Sequence, residues 1–142
     1  MDNTQKLQAV TEAIHKACPD LLELKFGTYV KFKTSFTGSL MTGRVGYIVK
    51  DCHIPWAGIF YDDTLEAKID CKDLIILGQP IGIAEVLRAV GNRKMRLSYL
   101  DSDHNILVFT DHEGNRAYWN LTKTLDQQEE PVISLLYSIF YP

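Results

Sequence analysis

Four histidines and three cysteines are the residues best equipped to hold a metal, and their spacing does not assemble a site. His15 and Cys18 share a helix face at a separation of three. Cys52 and His53, being adjacent, project to opposite sides of a strand, so neither a CxxC nor an HxxxH anchor is present. Asp101-Ser102-Asp103-His104-Asn105 copies the first five positions of a calcium-binding loop, but the sixth position is Ile106 instead of glycine and the twelfth is His112 instead of glutamate. A solvated hairpin turn is expected there, and no metal. Nucleophilic catalysis lacks a GxSxG elbow, and Ser39 sits in Gly38-Ser39-Leu40 without a nearby histidine. Gly43-Arg44-Val45-Gly46 and Gly78-Gln79-Pro80-Ile81-Gly82 have neither the lysine of a phosphate loop nor the spacing of a dinucleotide fold. No catalytic residue and no cofactor are therefore expected, and the protein reads as a non-enzyme.

Charge carries more information than any motif. From Leu24 to Lys50 the chain has five basic residues (Lys25, Lys31, Lys33, Arg44 and Lys50) and no acid, whereas Leu97 to Pro142 holds two basic residues against seven acids. A second basic cluster comprises Arg88, Arg93, Lys94 and Arg96. Tyr29, Trp56, Tyr99, Tyr118 and Trp119 fall in predicted strands, and an aromatic surface beside arginine is what stacking on a base and pairing with its phosphate require. The competing reading has these aromatics filling the core and the lysines solvating a strand. A net charge of −3 disfavours extended duplex DNA as a partner.

The elements that position these residues follow from periodicity. Leu7, Val10, Ile14, Ala17 and Leu21 line a helix capped by Asp2, Asn3 or Thr4 and ended by Cys18-Pro19-Asp20. Lys25 to Lys33 alternates, with Phe26, Thr28, Val30 and Phe32 on the side opposite Lys25, Tyr29, Lys31 and Lys33. Thr37-Gly38-Ser39 and Met41-Thr42-Gly43 read as turns, and strands are predicted over Arg44 to Lys50, Ile54 to Tyr61 and Glu66 to Cys71, the last two separated by Asp62-Asp63. Leu77-Gly78-Gln79-Pro80 breaks this pattern, and Ile83, Val86, Leu87 and Val90 then give a short helix stopped by Gly91. Strands over Met95 to Leu100, Ile106 to Thr110 and Arg116 to Leu121 form a meander joined by Asp101-Ser102-Asp103-His104-Asn105 and His112-Glu113-Gly114-Asn115. Glu129-Glu130-Pro131 opens a last helix with a stripe of Val132, Leu135, Leu136, Ile139 and Phe140. Without βα alternation, the fold class is α+β: a mainly antiparallel sheet of about six to seven strands, with an N-terminal, a middle and a C-terminal helix.

The whole chain, residues 1–142, reads as one domain of average composition. No stretch is apolar for the 18 or so residues a spanning helix needs, and the N-terminus lacks a basic region leading into an apolar one. Three unclustered cysteines fit a reducing compartment. A cytoplasmic protein without membrane association is expected.

Leu21-Leu22-Glu23-Leu24-Lys25-Phe26-Gly27, Ile76-Leu77-Gly78-Gln79-Pro80-Ile81 leading into Val86-Leu87-Arg88-Ala89-Val90, and Trp119-Asn120-Leu121 to Leu125-Asp126-Gln127-Gln128 resemble segments of small proteins encoded by bacteriophages and prophages. Most such proteins have no assigned function; some of this size and α+β build are counter-defence factors, and the chain resembles in kind the first Thoeris anti-defence family. That resemblance implies a phage counter-defence protein acting in an infected bacterial host. It would bind and sequester a cyclic nucleotide or cyclic ADP-ribose signal without cleaving it. The pocket would take phosphates on Arg93 and Arg96 with Arg88 nearby, a ribose or base edge on Asn92, and a base on Tyr99 or Tyr118. A homo-oligomer built on the final helix, ending Ile139-Phe140-Tyr141-Pro142, is also expected, the alternative being that this helix packs into the protein's own core. The alternative is an inhibitor that blocks a host defence protein, such as a CRISPR effector, with an acidic face of Asp101, Asp103, Asp111, Glu113, Asp126, Glu129 and Glu130.

Overall fold

A computed structural model describes the chain except residues 35–37, 51–52, 63–64 and 92–94, and describes only the backbone at 65 and 98–100. The fold is α+β, and the described residues form the three expected helices and eight strands divided between two antiparallel sheets. Backbone contacts group the residues into two compact units, Met1–Cys18 with Ile81–Pro142, and Pro19–Pro80. No helix among the described residues is long and apolar enough to cross a membrane.

The unit Pro19–Pro80 is a five-stranded sheet. Its strands are β1 (Tyr29–Lys33), β2 (Leu40–Val49), β3 (Trp56–Asp62), β4 (Leu65–Asp70) and β5 (Ile75–Gly78), in the order β4-β3-β2-β1-β5. Alternation buries Val30, Phe32, Val45, Ala57 and Ile59 on one side, where Leu24, Ile48, Tyr61 and Ile69 complete an apolar cluster. The opposite side carries Tyr29, Lys31, Arg44, Tyr47, Trp56 and Phe60, all at least partly exposed. Phe26, expected on the buried side, is 79% exposed. The strand starts only at Tyr29, because Gly27 turns the chain at φ 87° and donates its N–H to Val45 O at 2.8 Å. Thr28, fully buried, locks this turn: its hydroxyl donates to Glu23 O at 3.0 Å and accepts from Lys25 N–H at 3.1 Å. β5, read from sequence as a break, pairs with β1 after a 3-10 turn at Cys71–Asp73.

The other unit contains α1 (Asn3–Ala17), α2 (Ile83–Val90), β6 (Met95–Asp101), β7 (Ile106–Asp111), β8 (Arg116–Asn120) and α3 (Glu130–Phe140). Asp2 caps α1, its carboxylate accepting from Gln5 N–H at 2.8 Å while Gln5 Oε1 accepts from Asp2 N–H at 3.1 Å. Gly91 ends α2 as expected, at φ 56°. The meander β6-β7-β8 is present as expected, with Asn105 at φ 54° in the first turn and Gly114 at φ 88° in the second. Asp101 accepts from the N–H groups of Asp103 and His104, so the calcium-like segment is the hairpin turn the spacing suggested. Trp119 is fully buried with its ring centroid 6.0 Å from that of Phe109, which removes it from the stacking candidates. Val132, Ile133, Leu135, Leu136 and Phe140 of α3 are buried, and α3 packs on α1 and β8. Ile133 joins this core where Ile139 was expected, and Ile139 is half-buried.

Candidate functional site

The outer side of the five-stranded sheet brings aromatic rings and cations together, and a backbone irregularity makes it possible. Arg44 and Tyr47 differ by three in sequence, so plain alternation would set them on opposite sides. A bulge at Gly46 shifts the β2–β3 register between Val45 and Tyr47, so that Arg44 faces Phe60 and Tyr47 faces Gly58. Phe60 and Gly58 are two apart in β3 and share a side, and Arg44 and Tyr47 therefore do too. Tyr29 lies opposite Arg44 across the β1–β2 pair. A row Tyr29, Arg44, Phe60, Glu66 thus crosses four strands.

Within this row the Arg44 guanidinium carbon stands 4.7 Å from the Tyr29 ring centroid, and one of its N–H groups donates to the Tyr29 hydroxyl. Tyr29, Thr42, Gly43, Arg44, Phe60, Tyr61 and Asp62 line an open concavity of about 500 Å³. That volume falls in the range of small-ligand sites. Beside it, Tyr47 contacts Phe60 and Trp56 edge-on, with centroids 6.5 and 5.8 Å apart. The Tyr47 hydroxyl donates to Glu66, which holds the phenol pKa above its ordinary value and fixes the ring. Lys68 Nζ lies 5.3 Å from the Trp56 ring centroid. Glycine lets both rings lie where they do. A β-carbon on Gly46 would fall 1.9 Å from Phe60 Cε2, and one on Gly58 would fall 2.3 Å from Tyr47 Cζ.

The residues expected from sequence lie in the other unit. Arg96 and Tyr118 are exposed, and the register sets them in adjacent rows on one side of the three-stranded sheet. Arg96 faces Thr110, which faces Arg116, and Tyr118 faces Val108. Tyr99 occupies the β6 position paired with Val108. Arg116, absent from the sequence expectation, therefore belongs to this group. Arg88 lies on α2 and donates from Nε to Cys18 Sγ at 3.2 Å. Asn92 and Arg93, with Lys94, lie outside the described residues.

Several acids of the alternative reading are engaged within their own turns. Asp111 is buried and accepts from the side-chain amide and N–H of Asn115 and from Glu113 N–H, which holds its carboxyl below the usual range. Asp101 is likewise lowered, chiefly by the His104 ring at 2.8 Å. Asp126 accepts from Thr124 and Glu130 from Ser134. No protein family, curated protein or solved structure matches the chain.

Proposed function

We propose that the protein captures a nucleotide-type ligand without chemical conversion, and that its role is the sequestration of a cyclic nucleotide or cyclic ADP-ribose immune signal by a phage counter-defence factor. The observation that carries the binding chemistry is the Arg44–Tyr29 pair in a concavity shared with Phe60. Phe60 offers a π-face to a base, and Arg44 offers N–H donors to a phosphate. The Arg96–Thr110–Arg116 row beside Tyr118 also supplies arginine N–H donors and an aromatic face, on the three-stranded sheet, and it is the second reading of where the ligand sits.

Native mass spectrometry of the protein purified from cells, beside a thermal-shift panel of cyclic nucleotides and cyclic ADP-ribose isomers, tests the role, because a ligand that binds only the folded state raises its stability by mass action. A retained nucleotide or a clear shift is expected, lost in Arg44→Gln and kept in Arg96→Gln; the reverse pattern selects the second surface. Silence across the panel would contradict sequestration and favour the blocking alternative. In that case, charge reversal at Asp103, Glu113 and Glu129 would abolish activity.

A further inference from the structure

The concavity at Arg44 does not stand alone on its sheet. Tyr29, Phe60, Tyr47 and Trp56 follow one another across the same side, and Phe60 and Trp56, four residues apart on β3, are separated by about 13 Å at the strand rise. Tyr47 bridges that interval by its edge contacts to both rings. This length exceeds one base and one phosphate. Arg44 lies over Tyr29 and Lys68 over Trp56, while Lys31 and Lys33, opposite Thr42 and Leu40, continue the same side of the sheet past the Tyr29–Arg44–Phe60 row, in the direction away from Tyr47 and Trp56. Acids gather toward β4, where Glu66 is engaged by the Tyr47 hydroxyl and Asp70 faces Trp56 at the outer edge strand.

We infer that this side of the sheet is a track for single-stranded nucleic acid several nucleotides long, an inference that rests on the base-and-phosphate reading of the Arg44 concavity. Bases splayed from a single strand stack on successive rings with little sequence preference, with Arg44 and Lys68 beside the rings for its phosphates and Lys31 and Lys33 for the phosphates that run on past Tyr29. A duplex keeps its bases stacked within itself and has nothing to offer the rings. Its binding would rest on phosphate contacts alone, which a chain of net charge −3 supports poorly. The two glycines fit the same purpose: Gly46 and Gly58 give Phe60 and Tyr47 room to lie over the neighbouring strand.

The test is fluorescence anisotropy with labelled oligo(dT) and oligo(rU) of increasing length, a matched duplex, and adenosine monophosphate as competitor. Affinity should rise with single-strand length until the rings are filled, and the duplex should bind at least about tenfold more weakly. The dT and rU arms show whether DNA or RNA is the stronger ligand. Phe60→Ala and Trp56→Ala should each lower affinity roughly 5- to 150-fold, the usual worth of one base–aromatic stack. Lys31→Gln with Lys33→Gln, at exposed positions that leave the core intact, should flatten the dependence of log affinity on log salt by about 1.4, two phosphate contacts at the single-strand slope. Competition by the mononucleotide with no gain from length would overturn the track and leave the concavity standing. Equal binding of duplex and single strand would also overturn the track. Failure of mononucleotide, cyclic nucleotide and oligonucleotide alike would overturn both.

Discussion

Replacing Thr28 with valine removes one oxygen from a fully buried position and changes almost nothing else. That oxygen donates to Glu23 O at 3.0 Å and accepts from Lys25 N–H at 3.1 Å and Gln79 Nε2 at 2.5 Å. Three segments meet on one hydroxyl: the turn before β1, the start of β1 and the end of β5. Valine fills the space but offers no partner to any of the three. At about 1 kcal/mol net per hydrogen bond, with a larger cost for any group that water does not reach, the loss comes to about 3 kcal/mol. Thr28→Ser keeps the hydroxyl and removes one buried methyl, which costs about 1 kcal/mol. Urea denaturation followed by circular dichroism reads the difference. At a slope of about 2 kcal/mol/M, the valine midpoint should fall by about 1.5 M and the serine midpoint by about 0.5 M. Valine equal to or more stable than serine would refute the claim that hydrogen bonding, and not packing, holds this turn. Because Thr28 O also accepts from Val45 N–H at 2.9 Å and precedes Tyr29, the valine variant should weaken ligand binding as well.

Gln128, nearly buried, accepts from Asn120 N–H at 2.9 Å and donates to Asn120 O at 2.9 Å and Lys123 O at 3.0 Å, standing in for a strand partner at the end of β8. Gln128→Leu should cost about 2 to 4 kcal/mol in chemical denaturation, and Gln128→Glu should recover only part of it, because a carboxylate cannot donate to the two carbonyls. Gly58→Ala should leave the fold intact in circular dichroism but lower nucleotide affinity several-fold in titration, since its methyl displaces the Tyr47 ring from Glu66 and Trp56. The Asp111 carboxyl is held below its usual range by Asn115, so the fold favours the charged form. The stability it contributes is present above the carboxylate range of the unfolded chain and is lost as pH falls through the lowered value. Acid titration should therefore unfold the native protein more steeply than Asp111→Asn, and parallel acid curves would contradict this.

Local patterns were the legible part of the fold. The meander and the helices depend on alternation, turn composition and caps within about ten residues, and they appear where those signals lie. β5 depends instead on pairing with β1 more than forty residues earlier, Tyr29 opposite Gly78, and four residues ending in glycine carry no periodicity to announce it. The division into two sheets is long-range in the same way. The aromatic–cation surface stayed hidden because the bulge at Gly46 reverses parity within β2, separating Arg44 and Tyr47 in any alternation argument while joining them in space. Phe26 falls outside the alternation of β1 for a related reason, the chain turning at Gly27 before the strand begins. The two tryptophans were separable in principle. Arg116 marks the exposed parity of β8 and with it Tyr118, leaving Ala117 and Trp119 inside, whereas the charged residue of β3, Asp62, stands six positions from Trp56 and beyond a register shift, too far to mark its side.

Amide chemical-shift mapping of the isotope-labelled protein, titrated with adenosine monophosphate, bears most directly on the nucleotide reading. Shifts concentrated at Tyr29, Arg44, Tyr47, Gly58 and Phe60, and abolished by Arg44→Gln, are the expected result. Shifts confined to Arg96, Arg116 and Tyr118, or none at saturating ligand, would contradict the placement of the site on the five-stranded sheet.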